Sequence, residues 1–162
     1  MLTPDLYYRS VLDIDLAALA EKGVTTLLLD LDNTLLPRDS GVVPDDIKAW
    51  ADGLAASGFT ACLVSNNWHE RVVRVAGELG FELVSKAVKP LPFAFWAALR
   101  RAGSTRRTAA VVGDQMFTDV LGGKLTGIMT VLVCPMSEAD LPHTLFLRRI
   151  ERVLLAGRTP LP

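Results

Sequence analysis

Five continuous apolar runs punctuate the chain: Leu27 to Leu29, Phe59 to Val64, Phe81 to Val84, Thr108 to Val112 and Ile128 to Val133. Short apolar runs bounded by Gly, Pro, Asn and Asp read as buried strands. The segments between them carry a helical period instead. Asp15 reads as the N-cap of a helix from Leu16 to Lys22 that Gly23 stops, and Pro44 opens a helix in which Ile47, Trp50 and Leu54 share a face up to Gly58. Further helices are expected from Glu70 to Leu79, closed by Gly80, from Phe93 to Ala102, from near Asp119 to Gly127, and over about Thr144 to Ala156. Residues 4–14 are mixed and Tyr-containing and read as a lead-in, while Pro37 to Val43 and Lys86 to Pro92 read as loops.

Strands that are apolar throughout must be covered on both faces, and their alternation with helices predicts a doubly wound α/β fold with a parallel sheet. At 162 residues the expected organisation is one domain over 1–162. Between Asp32 and Ser65 there is room for a loop and one helix, and between Ser65 and Lys89 for one helix and a short strand. No cap domain is therefore expected, and the site should be open.

Seventeen basic and eighteen acidic residues give a net charge of −1, so no global field favours nucleic acid. Cys62 and Cys134 lie far apart in apolar runs, as small buried thiols do, which suits a reducing, cytoplasmic setting. The start Met1-Leu2-Thr3-Pro4-Asp5 lacks the basic and apolar regions of an export signal, and no apolar segment nears the roughly 18 residues of a membrane span.

The chemistry collects where the strands end. Leu27-Leu28-Leu29-Asp30-Leu31-Asp32 finishes a buried run with two carboxylates on one side of the strand, and such a pair resists ionisation unless a cation lies between them. The alternative is that Asp32 and Asn33 begin a turn and Asp30 caps its neighbour. Ser65, Lys89 and Asp114 weigh against it, because they follow other strands and ligands of such sheets bind beyond the carboxyl ends. Asp114 adds a third carboxylate, and Asp119 can reach back from the first turn of its helix. Hard oxygen ligands in low number suit Mg²⁺ beside a phosphate. Ser65 offers a hydroxyl and nearby main-chain N–H groups, and Lys89 offers a point positive charge.

These residues resemble the four motifs of the haloacid-dehalogenase (HAD) superfamily of phosphohydrolases. The first stands as Asp30-Leu31-Asp32-Asn33-Thr34, the second as Leu63-Val64-Ser65-Asn66-Asn67, the third as Lys89-Pro90, and the fourth as Gly113-Asp114-Gln115-Met116-Phe117-Thr118-Asp119-Val120. With Gly122-Gly123 and the segment from Pro4 to Leu16, the pattern resembles the YqeG-type branch, which includes phosphatidylglycerophosphate phosphatases. The resemblance implies Asp30 as nucleophile and Asp32 as acid and base. It implies Ser65, Asn66 and Lys89 as phosphate-holding, and Mg²⁺ held by Asp30, the main-chain carbonyl of Asp32, and Asp114. Asp119 would orient Lys89 or a metal-bound water. Lys124 departs from the branch, where Asn follows the paired glycines, and so bears on substrate contacts.

Other features carry less. His69 and His143 lack neighbours at metal-ligand spacing and read as surface or capping residues, and Gly122-Gly123-Lys124 lacks the upstream glycine of a phosphate loop. Trp50, Phe95 and Trp96 read as core, and Trp68 as an aromatic at the substrate mouth. Phe146, Ile150, Val153 and Leu154 share a helical face with Arg148, Arg149 and Arg152 around it, a pattern that packs on a sheet and also suits peripheral contact with anionic lipid. The competing functions are a phosphatase for a lipid monoester, one for a soluble sugar phosphate or nucleotide, and a phosphoryl-accepting module resembling a response-regulator receiver. The last is disfavoured because Ser85 and Lys86, not Asp, follow the third strand. A homo-oligomer stays open.

Overall fold

The computed structural model describes residues 2–38, 40–137, 150–151 and 154–162. Six strands, β1 (Leu6–Tyr8), β2 (Thr26–Leu29), β3 (Thr60–Val64), β4 (Glu82–Val84), β5 (Ala109–Gly113) and β6 (Met129–Val133), form one sheet in the order β1-β6-β5-β2-β3-β4. Every pairing is parallel. The helices are α1 (Leu16–Glu21), α2 (Asp45–Ala56), α3 (Glu70–Leu79), α4 (Pro92–Arg101) and α5 (Leu121–Thr126).

Alternation along β2 assigns the two faces. Leu27 and Leu29 join a core with Leu19 of α1, Ile47 and Leu54 of α2, and Val72 and Val75 of α3. Leu28 joins the opposite core with Ala94, Phe95, Ala98 and Leu99 of α4. Because both faces are buried, β2 has no polar side to show, which is why it reads as a continuous apolar run. Local signals place the helices: the Asp15 carboxylate accepts from Ala18 N–H at 2.9 Å, Pro92 opens α4, and Gly80 ends α3 with a left-handed φ of 68°. β2 lies between β3 and β5, so the connections leaving β2 and β5 diverge and open a crevice at their carboxyl ends.

Three expectations change. The lead-in contains β1, a sixth strand paired with the sheet edge at β6, followed by a 3-10 turn at Val11–Asp13. The helix expected near Asp119 is preceded by a π-helical turn, Met116–Val120, that runs into α5. Trp96 is not core but 55% exposed, since α4 buries Ala94, Phe95, Ala98 and Leu99 and turns Phe93 and Trp96 outward; Phe95 is fully buried and Trp50 partly so. Most of the expected last helix, with Phe146, Arg148, Arg149, Arg152 and Val153, lies outside the described residues, as does His143. No helix among the described residues is long and apolar enough to cross a membrane.

Candidate active site

Asp30 continues the line of β2, its N–H donating to Val112 O on β5 at 2.9 Å, so its carboxylate is delivered to the crevice by the sheet itself. There Lys89 Nζ donates to Asp30 Oδ1 at 2.6 Å and to Asp119 Oδ1 at 2.7 Å. Thr34 Oγ1 lies 3.2 Å from Asp30 Oδ2 and 3.3 Å from Asp114 Oδ1, joining the end of β2 to that of β5. Asp30, Asp114 and Asp119 are all buried and offer carboxylate oxygens within 4.8 Å of one another.

Burial pushes the Asp30 carboxyl up to about 6; Lys89 opposes the rise, and the Asp119 and Asp32 charges add to it. Burial also works against the charge on Lys89, but Asp119 and Asp30 outweigh it and raise its pKa above the ordinary lysine value. Lys89 is thus a permanent ammonium held between two carboxylates. Hard, buried, converging oxygens fit a small divalent cation.

The turn that carries Asp119 depends on an absent side chain. A Cβ on Gly113 would stand 2.2 Å from Asp119 Cγ and Oδ2, so only glycine lets the π-helical turn fold that carboxylate back over the end of β5. Gln115 N–H donates to Asp119 Oδ2 at 3.2 Å and fixes it there. Gly122 and Gly123 serve packing: a Cβ on either would meet the Phe95 ring or Thr130 Cγ2 at 2.3 and 2.4 Å.

Ser65 ends β3 with its N–H on Val84 O at 3.0 Å, and its hydroxyl accepts from Asn67 N–H at 3.1 Å. The Asn66 side chain is spent on Lys89: Oδ1 accepts from Lys89 N–H at 2.6 Å and Nδ2 donates to Lys89 O at 3.4 Å. Asn66 therefore positions the Lys89 backbone. Asp32 is buried but its side chain stands outside the acidic trio, meeting Arg71 Nη1 through Oδ1 at 2.6 Å. Arg71 also donates to Ser40 O at 2.6 Å and Pro37 O at 3.2 Å, tying the loop after Asp32 to α3.

Sequence reasoning missed Arg71, which looks like one more charge on the polar side of an amphipathic helix. Glu151, also missed, is buried and accepts from Met116 N–H at 2.8 Å, at the start of the turn that bears Asp119. Lys124 is remote from this chemistry: it pairs with Asp5 at 2.5 Å, beside the amino end of β1. Trp68 is 61% exposed beside His69, with Lys86 Nζ 5.7 Å from the Trp68 ring. A cleft of about 500 Å³ lies at the opposite end of the sheet, lined by Phe59, Thr60, Phe81 and Arg101 among others.

Comparison with known proteins sets this geometry in a family. A family model described as HAD-hydrolase-like matches residues 87–135, which contain Lys89, Asp114 and Asp119. "Probable phosphatase YqeG" of Bacillus subtilis (strain 168) is 35% identical over 154 residues, 95% of this chain and 90% of the relative. The chain belongs to the YqeG-type phosphatases of the HAD superfamily. Two further relatives are phosphatidylglycerophosphate phosphatases 1 of Arabidopsis thaliana, chloroplastic/mitochondrial, and Chlamydomonas reinhardtii, chloroplastic. They are 26% and 30% identical over 94% and 96% of this chain, which spans 46% and 62% of their length. The fold is shared with the cobalt-bound deoxy-D-mannose-octulosonate 8-phosphate phosphatase (YrbI) of Haemophilus influenzae, at a TM-score of 0.59 and 14% identity over 83% of this chain and 89% of that one. An HAD phosphatase of Thermococcus onnurineus superposes with a TM-score of 0.52 at 21% identity, over 72% and 60% of the two chains.

Proposed function

We propose that this YqeG-type phosphatase is a Mg²⁺-dependent phosphomonoesterase that works through an aspartyl-phosphate on Asp30, with phosphatidylglycerophosphate as its substrate. The observation that carries the reading is the buried Asp30 carboxylate at the end of β2, between Lys89 and the Asp114 and Asp119 oxygens, with Asp32 two residues away. An oxygen of Asp30 attacks phosphorus as the bond to the leaving ester oxygen breaks, and Asp32 delivers a proton to that oxygen. Asp32 then takes a proton from water, whose oxygen attacks phosphorus and frees Asp30 and inorganic phosphate. Lys89, Ser65 Oγ and the N–H of Asn66 hold the phosphoryl oxygens, and Asp119 orients Lys89. Mg²⁺, held by Asp30, Asp114 and the main-chain carbonyl of Asp32, would offset the repulsion between carboxylates and phosphate.

The names of the two plant-type relatives favour the lipid substrate. So does the limited chain available to roof the crevice, since α2 alone lies between the first two motifs and α3 with β4 between the next two. A headgroup held in a bilayer needs such an approach. Phosphate release should be followed with Mg²⁺ on phosphatidylglycerophosphate in detergent micelles, glycerol phosphate, sugar phosphates and nucleotides. The lipid should give the highest kcat/KM; a soluble ester ahead of it overturns the substrate assignment.

A further inference from the structure

The rim of the site at β3, β4 and α4 exposes an unusual set of apolar side chains. Trp68 is 61% exposed, Val88 55%, Leu91 46%, Phe93 51% and Trp96 55%. All follow closely on phosphate-site residues. Trp68 comes three positions after Ser65, Val88 directly precedes Lys89, and Leu91, Phe93 and Trp96 continue from Lys89 into the first turns of α4. Val88 and Leu91 are set by a turn in which Leu91 N–H donates to Val88 O at 3.1 Å. Val88 has a φ of 53°, a left-handed conformation that β-branched residues rarely adopt, and still presents its side chain to water.

Two exposed cations, Lys86 and Arg100, border this apolar set. Lys89 is consumed in the site, whereas Arg101 lines the cleft at the opposite end of the sheet. Lys86 lies over the Trp68 ring, and Arg100 follows Trp96 by four residues, on the same side of α4 as Phe93 and Trp96. Exposed Trp and Phe flanked by cations match the boundary between anionic headgroups and acyl chains, where aromatic rings are half buried and basic groups meet phosphate.

We propose that Trp68, Val88, Leu91, Phe93 and Trp96, with Lys86 and Arg100, form a surface that docks this phosphatase on anionic bilayers with the crevice beside the headgroups. The assignment rests on the lipid-substrate reading and adds where the membrane sits. It is independent of the C-terminal segment.

Vesicle partition reads the surface without reading catalysis. With Trp50→Phe and Trp68→Phe leaving Trp96 as the reporter, phosphatidylglycerol vesicles should shift its emission to the blue, and phosphatidylcholine vesicles should shift it less. Phe93→Ser/Trp96→Ser should lower partition into anionic vesicles by about tenfold or more and leave turnover of para-nitrophenyl phosphate unchanged. Arg100→Glu should weaken binding mainly at low salt. Wild-type partition by the double variant overturns the docking surface. So does a dimer in sedimentation equilibrium that the double variant abolishes while neither protein binds vesicles, which assigns the patch to a second copy. Hydrolysis of phosphatidylglycerophosphate in detergent micelles separates the two claims. Turnover there with patch-independent vesicle binding removes the surface and keeps the substrate; patch-dependent binding with no turnover does the reverse.

Discussion

At the scale of single residues, Asp30, in the proposed role of nucleophile, carries two opposed demands: it must be buried to be aimed, and burial disfavours the charge that attack on phosphorus requires. Its folded-state pKa, about 6, stands above the ordinary carboxylate value of 3.8. An acid raised on folding binds its proton more tightly in the native chain. Its stabilising contribution is therefore complete below the unfolded value and lost as pH rises through the folded one. In metal-free protein the stability of the wild type relative to Asp30→Asn should fall between about pH 4 and about pH 7 and stay level above that, as read from Tm in EDTA. A difference independent of pH would contradict the burial. The same Asn variant should release no phosphate, because an amide cannot attack phosphorus.

Gly113 makes the complementary case. Gly113→Ala would force Asp119 away from Lys89 and Gln115, because its Cβ would overlap the carboxylate. We expect a loss of about 1–3 kcal/mol in stability, typical of overpacking, with a fall in kcat. Gly53→Ala on α2, where nothing lies within 4 Å of the added methyl, should be neutral or gain up to about 1 kcal/mol. Asp30, Asp32, Ser65, Lys89 and Asp114 could be picked out in the sequence because each interrupts or follows an apolar run. Arg71 could not, since it stands 39 residues from Asp32 on a helix whose polar side is otherwise solvated.

At the scale of elements, the sequence was legible where one period dominates and opaque where a tertiary contact decides. The helices α1 to α4 were foreseen to within a residue or two, from caps and prolines acting locally. β1 escaped because it is three residues long, carries two tyrosines and gains its stability from pairing with β6 more than 120 residues away. Trp96 was misjudged because α4 is apolar nearly all round, so the period could not say which side is covered. The π-helical turn is a similar case, since it answers to the space beside Gly113 and to Glu151. Glu151→Ala would strand the buried Met116 N–H, a loss of about 1–3 kcal/mol, while Glu151→Gln keeps an acceptor and should recover most of it. Thermal unfolding with kcat on a soluble ester should show both effects, because the same turn holds Asp119.

At the scale of the molecule, the sheet order brings together groups from three separate connections: Asp30 and Asp32 after β2, Lys89 before α4, and Asp114 and Asp119 after β5. On the proposed reading a divalent cation would have two tasks, offsetting the repulsion between these carboxylates and a phosphate dianion and fastening the ends of β2 and β5 to each other. Both have measurable consequences. Mg²⁺ should raise Tm in a concentration-dependent way, because a ligand bound only by the native state stabilises by mass action. Activity should vanish in EDTA and return with Mg²⁺, whereas Ca²⁺, larger and content with irregular coordination, should raise Tm without restoring turnover. Asp114→Asn should increase the Mg²⁺ needed for half-maximal activity by about tenfold or more, as loss of a carboxylate ligand does. Asp32→Asn, which keeps its main-chain carbonyl, should leave the metal-dependent rise in Tm nearly intact while kcat collapses. Full activity of the wild type in excess chelator would remove the metal from the mechanism, and equal loss of metal-dependent stabilisation in both variants would place the Asp32 side chain among the ligands.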